Sequence, residues 1–166
     1  MATLPRNDAQ LRRDLMPRLQ IVVDYIMAKI AERNQLEIEA NVYRRGKPSI
    51  YERTGQFQKA WKADKAQISG MHVQAKFHYE PSEMDLNLTT TIPQHGSNNP
   101  AWGDAREYLA ELIYNGASGP KYGDGYWTQR RDAWDALIQD IDGEDIVKWT
   151  RQGFAQAGLT VTKKRG

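Results

Sequence analysis

Residues 71–79 read Met-His-Val-Gln-Ala-Lys-Phe-His-Tyr, and residues 84–92 read Met-Asp-Leu-Asn-Leu-Thr-Thr-Thr-Ile. In the first stretch Met71, Val73, Ala75, Phe77 and Tyr79 alternate with His72, Gln74, Lys76 and His78. In the second, Met84, Leu86, Leu88, Thr90 and Ile92 alternate with polar residues. A two-residue period places alternate side chains on opposite faces of a strand. Glu80-Pro-Ser-Glu83 between them suits a turn, with Pro81 where its fixed φ helps. The two stretches predict an antiparallel hairpin with one apolar face, and such a face needs a helix to cover it.

The helix expected to do so lies upstream. Leu15, Leu19, Val22, Ile26 and Ile30 recur at steps of three and four, one helical stripe. Asp14 suits the N-cap, and Pro17 then falls in the first turn, where its missing N–H costs least. The reading is a helix over 15–33, stopped at Asn34, with residues 1–14 as a flexible arm. Beyond it Leu36, Ile38, Ala40 and Val42 alternate with Glu37, Glu39 and Asn41, which predicts a strand. Tyr51-Glu-Arg-Thr-Gly-Gln-Phe-Gln-Lys-Ala-Trp61 predicts a short helix capped by Thr54, with Phe57, Ala60 and Trp61 inward.

Three helices are expected downstream. The first runs from Trp102 to Tyr114 with Ala105, Leu109, Leu112 and Ile113 inward, ended by Asn115-Gly116. The second, over 129–141, carries Ala133, Trp134, Leu137, Ile138 and Ile141, and Asp142-Gly143 interrupts it. The last carries Ile146, Val147, Trp149, Phe154 and Ala157 and closes at Gly158; Leu159-Thr-Val-Thr is read as an edge strand. The sum is an α+β fold, a small antiparallel β-sheet packed by an N-terminal helix and C-terminal helices. Residues 15–162 form its single domain, and 163–166 are a basic tail.

Composition limits the function classes. The chain has 166 residues, 40% hydrophobic and 27% charged, ordinary values for one globular domain. It contains no cysteine, so disulfides, thiolate metal sites and cysteine nucleophiles are excluded. No run of 18 apolar residues predicts a membrane span, and MATLPRNDAQLRRDL lacks the apolar core of a secretion leader. His72 and His78 on one strand would stand roughly 20 Å apart, too far to share a metal. His95 lies in a polar loop, and no Gly-x-Ser-x-Gly or Ser-x-x-Lys motif is present. Glu107 and Glu111, and Asp132, Asp135, Asp140 and Asp142, flank apolar helix stripes as a solvated face would. The expectation is no catalytic, cofactor-binding or metal-binding residue and no enzyme; a small hydrolase using paired carboxylates is the third reading.

The net charge of +2 is small but unevenly spread. Residues 44–65 hold seven basic groups against Glu52 and Asp64, a net +5, and residues 104–145 a net −6. Tyr43, Tyr51, Phe57 and Trp61 interleave with the basic groups, which makes a DNA-binding module the runner-up, joined by the Lys163-Lys164-Arg165 tail. The loop 116–125 is rich in glycine and is followed by Tyr126 and Trp127, with Tyr122 inside it. Such a loop serves as a contact surface or packs on its own domain.

At Tyr51-Glu-Arg-Thr-Gly-Gln-Phe-Gln-Lys-Ala-Trp61 the chain resembles the small neck and tail-completion proteins of long-tailed bacteriophages, in which an Arg-Thr-Gly turn opens a short helix bearing an aromatic. Glu107-Tyr108-Leu-Ala-Glu-Leu-Ile-Tyr-Asn-Gly116, Tyr126-Trp127-Thr-Gln-Arg-Arg-Asp-Ala-Trp134 and Phe154-Ala-Gln-Ala-Gly158-Leu-Thr-Val follow in the same order. The resemblance covers roughly residues 15–162. It implies a virion structural protein made in the host cytoplasm, forming a ring, commonly six-fold, around the DNA channel. Its implied partners are copies of itself and neighbouring connector, neck or tail-tube proteins, with non-specific contact to channel DNA and no membrane. A ring needs two unlike surfaces on each subunit. The expected inter-subunit contacts are therefore the oppositely charged segments and the aromatic loop: Arg44, Arg45, Lys47, Arg53, Tyr122, Tyr126, Trp127, Asp132 and Asp135. The alternative is that both charged segments are solvated faces of a monomer.

Overall fold

A computed structural model describes residues 7–45, 55–84, 105–116 and 129–160. The architecture is α+β: a long N-terminal helix, two small two-stranded sheets and C-terminal helices. The expected strand 84–92 lies outside the described residues except for Met84, which is buried and not in a strand.

Helix α1 spans Asp8–Ile38, 31 residues and about 46 Å at the helical rise. It begins seven residues before the expected start. Asn7, not Asp14, supplies the cap, its side-chain oxygen accepting the Gln10 N–H at 2.9 Å. Pro17 therefore sits inside the helix, and residues 8–14, expected in an arm, are helical. Helical backbone continues as a π-helical turn over Glu39–Tyr43, where a strand was expected. The alternating pattern at 36–42 misleads because Leu36 and Ala40 are exposed while Asn34, Ile38 and Val42, four apart, are buried. Arg33 pairs with Glu37 at 3.1 Å, and Asn41 donates to the same Glu37 at 2.9 Å, both at the four-residue spacing that supports a helix.

Helix α2 covers Gln56–Lys59. Its N-cap is Gly55, with φ of 73°, a left-handed conformation that costs glycine little; Thr54 lies outside the described residues. Strand β1 (Trp61–Ala63) follows directly, so Trp61 belongs to a strand instead of the helix. Strands β2 (Gln67–Ser69) and β3 (His72–Gln74) pair antiparallel with Ile68 opposite Val73. Gly70, φ 63°, is the first of the two residues that turn the chain between them, the place where a type II′ turn requires glycine.

Strand β4 (Phe77–Tyr79) pairs with β1. The Glu80 N–H to Ala60 carbonyl bond (2.7 Å) and the Asp64 N–H to Lys76 carbonyl bond (2.9 Å) frame that pair as antiparallel. The single strand expected over 71–79 is therefore two strands with different partners. The Gly70-Met71 turn gives β3 an upstream neighbour and leaves β4 for β1. The expected turn at 80–83 is a 3₁₀ turn over Pro81–Glu83.

Helices α3 (Ala105–Asn115), α4 (Ala133–Asp142) and α5 (Glu144–Gln156) complete the order. The stops at Asn115-Gly116 and Gly158 are as read, with φ of 71° and 67° at the two glycines. Helix α4 starts later than expected, at Ala133, and Leu159-Thr160 is not a strand.

The chain divides into two compact units. One comprises Met1–Glu32, Ala63–Phe77 and Ile138–Gly166; the other comprises Arg33–Lys62 and His78–Leu137. In the first, α5 lies so close to α1 that a Cβ on Gly153 would stand 3.1–3.3 Å from Val22 atoms. Tyr25 donates to Gln152 across the same helix pair at 2.9 Å. Ala66, fully enclosed at the root of the β2–β3 hairpin, donates its N–H to Asp24 at 2.8 Å, and its carbonyl accepts from Gln20 at 2.5 Å. Both backbone groups of a buried residue are thus satisfied by α1.

The second unit has its own core of Ile38, Val42, Phe57, Ala60, Met84, Ile113 and Ala133. Phe57 of this core packs in a cluster with four further aromatic rings. Phe57 sits edge-on to Trp61 and Tyr114, Tyr79 is tilted against Phe57 and Trp61, and Trp134 stacks on Trp61 with centroids 5.2 Å apart. Such pairs contribute about 0.5–1.5 kcal/mol each beyond their area. Tyr79 also donates its hydroxyl to the Arg106 carbonyl at 2.9 Å, which ties β4 to α3.

Candidate functional site

Of the nine residues expected at an inter-subunit contact, Arg44, Arg45, Asp132 and Asp135 are described. Lys47, Arg53, Tyr122, Tyr126 and Trp127 lie outside the described residues. The π-helical turn delivers Arg44 and Arg45 to the surface just past α1. The Arg44 N–H closes that turn on the Glu39 carbonyl, and the Arg44 side chain reaches the Glu39 carboxylate at 3.4 Å. Arg45 donates to the Asn41 side-chain oxygen at 3.1 Å, and its guanidinium stands 4.0 Å from Asp132. Asp132, just before α4, accepts from Arg130 at 2.9 Å, and Arg130 also pairs with Asp135.

Arg45 and Asp132, from the two oppositely charged segments, therefore meet within one chain and within one compact unit. Arg130 bridges two carboxylates, and Asp132 has an arginine on either side. All six charged side chains, Arg44, Glu39, Arg45, Asp132, Arg130 and Asp135, are substantially exposed, so each pair contributes at most about 1 kcal/mol and weakens with salt. A partner carrying opposite charge could exchange these contacts at small cost. They are not a fixed internal lattice.

Arg131 was not singled out by the sequence. It is 2% exposed, and its Nη1 donates to the Gln129 carbonyl at 2.7 Å. A buried arginine between exposed Arg130 and Asp132 has no periodic signature in the sequence.

Among the described residues a second set of charged groups lies around the 3₁₀ turn. Ser82 donates its hydroxyl (2.7 Å) and its N–H to Glu80, holding that carboxyl below its usual range, with His78 and Lys62 adding to the effect. Lys62 pairs with Glu83 at 3.1 Å. Burial pushes the Tyr114 hydroxyl far above its ordinary range, with Tyr43 and Tyr79 adding to it. Glu107, Glu111, Asp132, Asp135 and Asp142 are exposed, as a solvated charged face requires, and Asp140 is half-buried. His72 and His78 belong to different strands, β3 and β4. Among the described residues no three His, Asp or Glu side chains gather where a metal ion could be held. No helix among them is long and apolar enough to cross a membrane.

Set beside known protein families, curated proteins and solved structures, the chain matches none of them.

Proposed function

We propose that this chain is a structural subunit that works by self-association, as a ring-forming head–tail connector or tail-completion component of a phage particle. The observation that carries the reading is the local geometry of the segment that bears the resemblance. Gly55 takes the left-handed turn that opens α2, and Phe57 and Trp61 beyond it enter the aromatic cluster with Tyr79, Tyr114 and Trp134. Tyr43 accepts the Gln58 N–H at 3.2 Å, standing in for the capping side chain that Gly55 lacks. Phe57 and Trp61 pack inside the second unit, which suits a building block better than a stacking platform for bases.

Ile21, Leu36, Ile68, Met71, Ile138 and Val147 are 37–56% exposed, and partners in this reading would cover some of them. The partners in this reading are further copies of the chain, adjoining neck or tail-tube proteins and, non-specifically, DNA in the channel. The setting is the host cytoplasm during assembly and then the virion.

The test is mass in solution by light scattering over a range of concentrations, followed by electron microscopy of the largest species. The expected result is a multiple of 19.0 kDa and a closed ring. A 19.0 kDa species at every concentration would overturn the proposal. Reversing Arg44, Arg45 and Lys47 to Glu should weaken assembly while circular dichroism stays unchanged. DNA binding that falls steeply with salt, without self-association, would favour the nucleic-acid reading instead.

A further inference from the structure

The first compact unit presents two unlike surfaces, each with an apolar centre. One is the β2–β3 hairpin. Ile68, 37% exposed, stands opposite Val73, and Met71 in the turn is 47% exposed. From Lys65 to Lys76 there is no carboxylate, and His72 and both lysines are exposed. A ribbon of three residues per strand is marginal in water by itself. This one is anchored at its root by the two backbone bonds of Ala66 to α1, while its tip projects apolar groups.

The other surface is the corner between α4 and α5. From Ile138 to Asp145 the chain carries Asp140, Asp142, Glu144 and Asp145 and no cation, and the first cation beyond is Lys148, next to Val147. Ile138, 38% exposed, lies one turn before exposed Asp142 on α4. Val147, 49% exposed, lies one turn after exposed Glu144 on α5. Residues three or four apart share a helix face, so Ile138 sits beside Asp142, and Val147 lies between Glu144 and exposed Arg151.

We infer that the β2–β3 hairpin of one copy docks on the acidic α4–α5 corner of the next copy, Ile68 and Met71 meeting Ile138 and Val147 while Lys65 and Lys76 face the carboxylates. The inference rests on the self-association proposed above and names one contact that takes part in it, beside the one tested at Arg44, Arg45 and Lys47. Charge of opposite sign around apolar centres selects this pairing over hairpin-to-hairpin or corner-to-corner contact, where like charges would oppose. The contact joins two different surfaces, so it propagates head-to-tail and closes into a ring if the rotation allows.

The experiment uses the full chain and three variants, with circular dichroism confirming each fold. Ile68→Asp with Met71→Asp disables the hairpin, and Asp142→Lys with Glu144→Lys disables the corner. Each alone should weaken self-association roughly tenfold or more. Mixed together they should form a one-to-one pair that grows no further, because one intact hairpin and one intact corner remain. The third variant adds Lys65→Glu and Lys76→Glu to the corner variant and should regain assembly, since the charges are exchanged and the apolar groups kept. If the wild-type chain self-associates and these substitutions leave its mass unchanged, the surfaces are wrong and self-association stands. If the variants dissociate yet neither pair on mixing nor recover on charge exchange, head-to-tail docking is overturned. A wild-type chain that stays monomeric overturns both this inference and the reading beneath it.

Discussion

Replacing Gly153 with alanine sets helix propensity against packing, and the structure supplies the distances that decide between them. Gly153 lies within α5, where alanine is favoured over glycine by about 1 kcal/mol. A Cβ there would stand 3.1 Å from Val22 Cγ1, 3.2 Å from the Val22 carbonyl oxygen and 3.3 Å from its Cα. The methyl group of Val22 can shift by rotation. The other two atoms are backbone of α1 and move only if the helices separate. Overpacking of that kind costs about 1–3 kcal/mol, so packing outweighs propensity and the net effect is a loss of about 1 kcal/mol. For a chain of this size that lowers Tm by about 2–4 °C. The assay is thermal and urea unfolding followed by circular dichroism and by tryptophan fluorescence, to which Trp149, buried in the same helix, contributes as one of five tryptophans. Gly153→Val should lose more, and in a Val22→Ala background the loss from Gly153→Ala should shrink only by the part due to Cγ1. A Gly153→Ala protein as stable as the wild type would refute the close approach of the two helices.

Two further perturbations test other parts of the fold. Asp24→Ala leaves the buried Ala66 N–H without its acceptor, at a cost of about 1–3 kcal/mol, whereas Asp24→Asn keeps an oxygen in place. Hydrogen exchange at the hairpin amides should accelerate in the first variant and not in the second. Tyr114 has a raised pKa in the fold, so the folded state keeps its proton where the unfolded chain, titrating near ~10, has lost it. Its contribution is fully present below pH ~10 and is lost as pH rises beyond that. Tyr114→Phe should flatten this alkaline loss in a pH series of urea midpoints, and an unchanged series would refute it. At neutral pH the same change should be neutral or stabilising, because the buried hydroxyl has no hydrogen-bond partner among the described residues.

The parts of this fold that a reader of the sequence recovers share one property. Helices α3, α4 and α5 bury apolar residues at steps of three and four, and Gly116 and Gly158 end two of them through a conformation written in the residue itself. The expected short helix at Phe57 is present for the same reason. Position 36–42 went the other way: two patterns coexist there, and the four-residue one prevailed because Ile38 and Val42 reach a common core. The charged candidates were legible as charges only. That Arg45 finds Asp132 87 positions away, and that Arg131 is buried among its exposed neighbours, are facts of the folded chain.

The amino-acid order alone determined the α+β class, the ends of the C-terminal helices and the turn at Pro81, since each depends on hydrogen bonds and dihedral preferences within a few residues. The tertiary structure decided which strand lies beside which, because β1 pairs with β4 across a hairpin that closes on itself. It also decided how far α1 runs. Strand partners and buried faces are chosen by contacts between distant segments, and no local period encodes those.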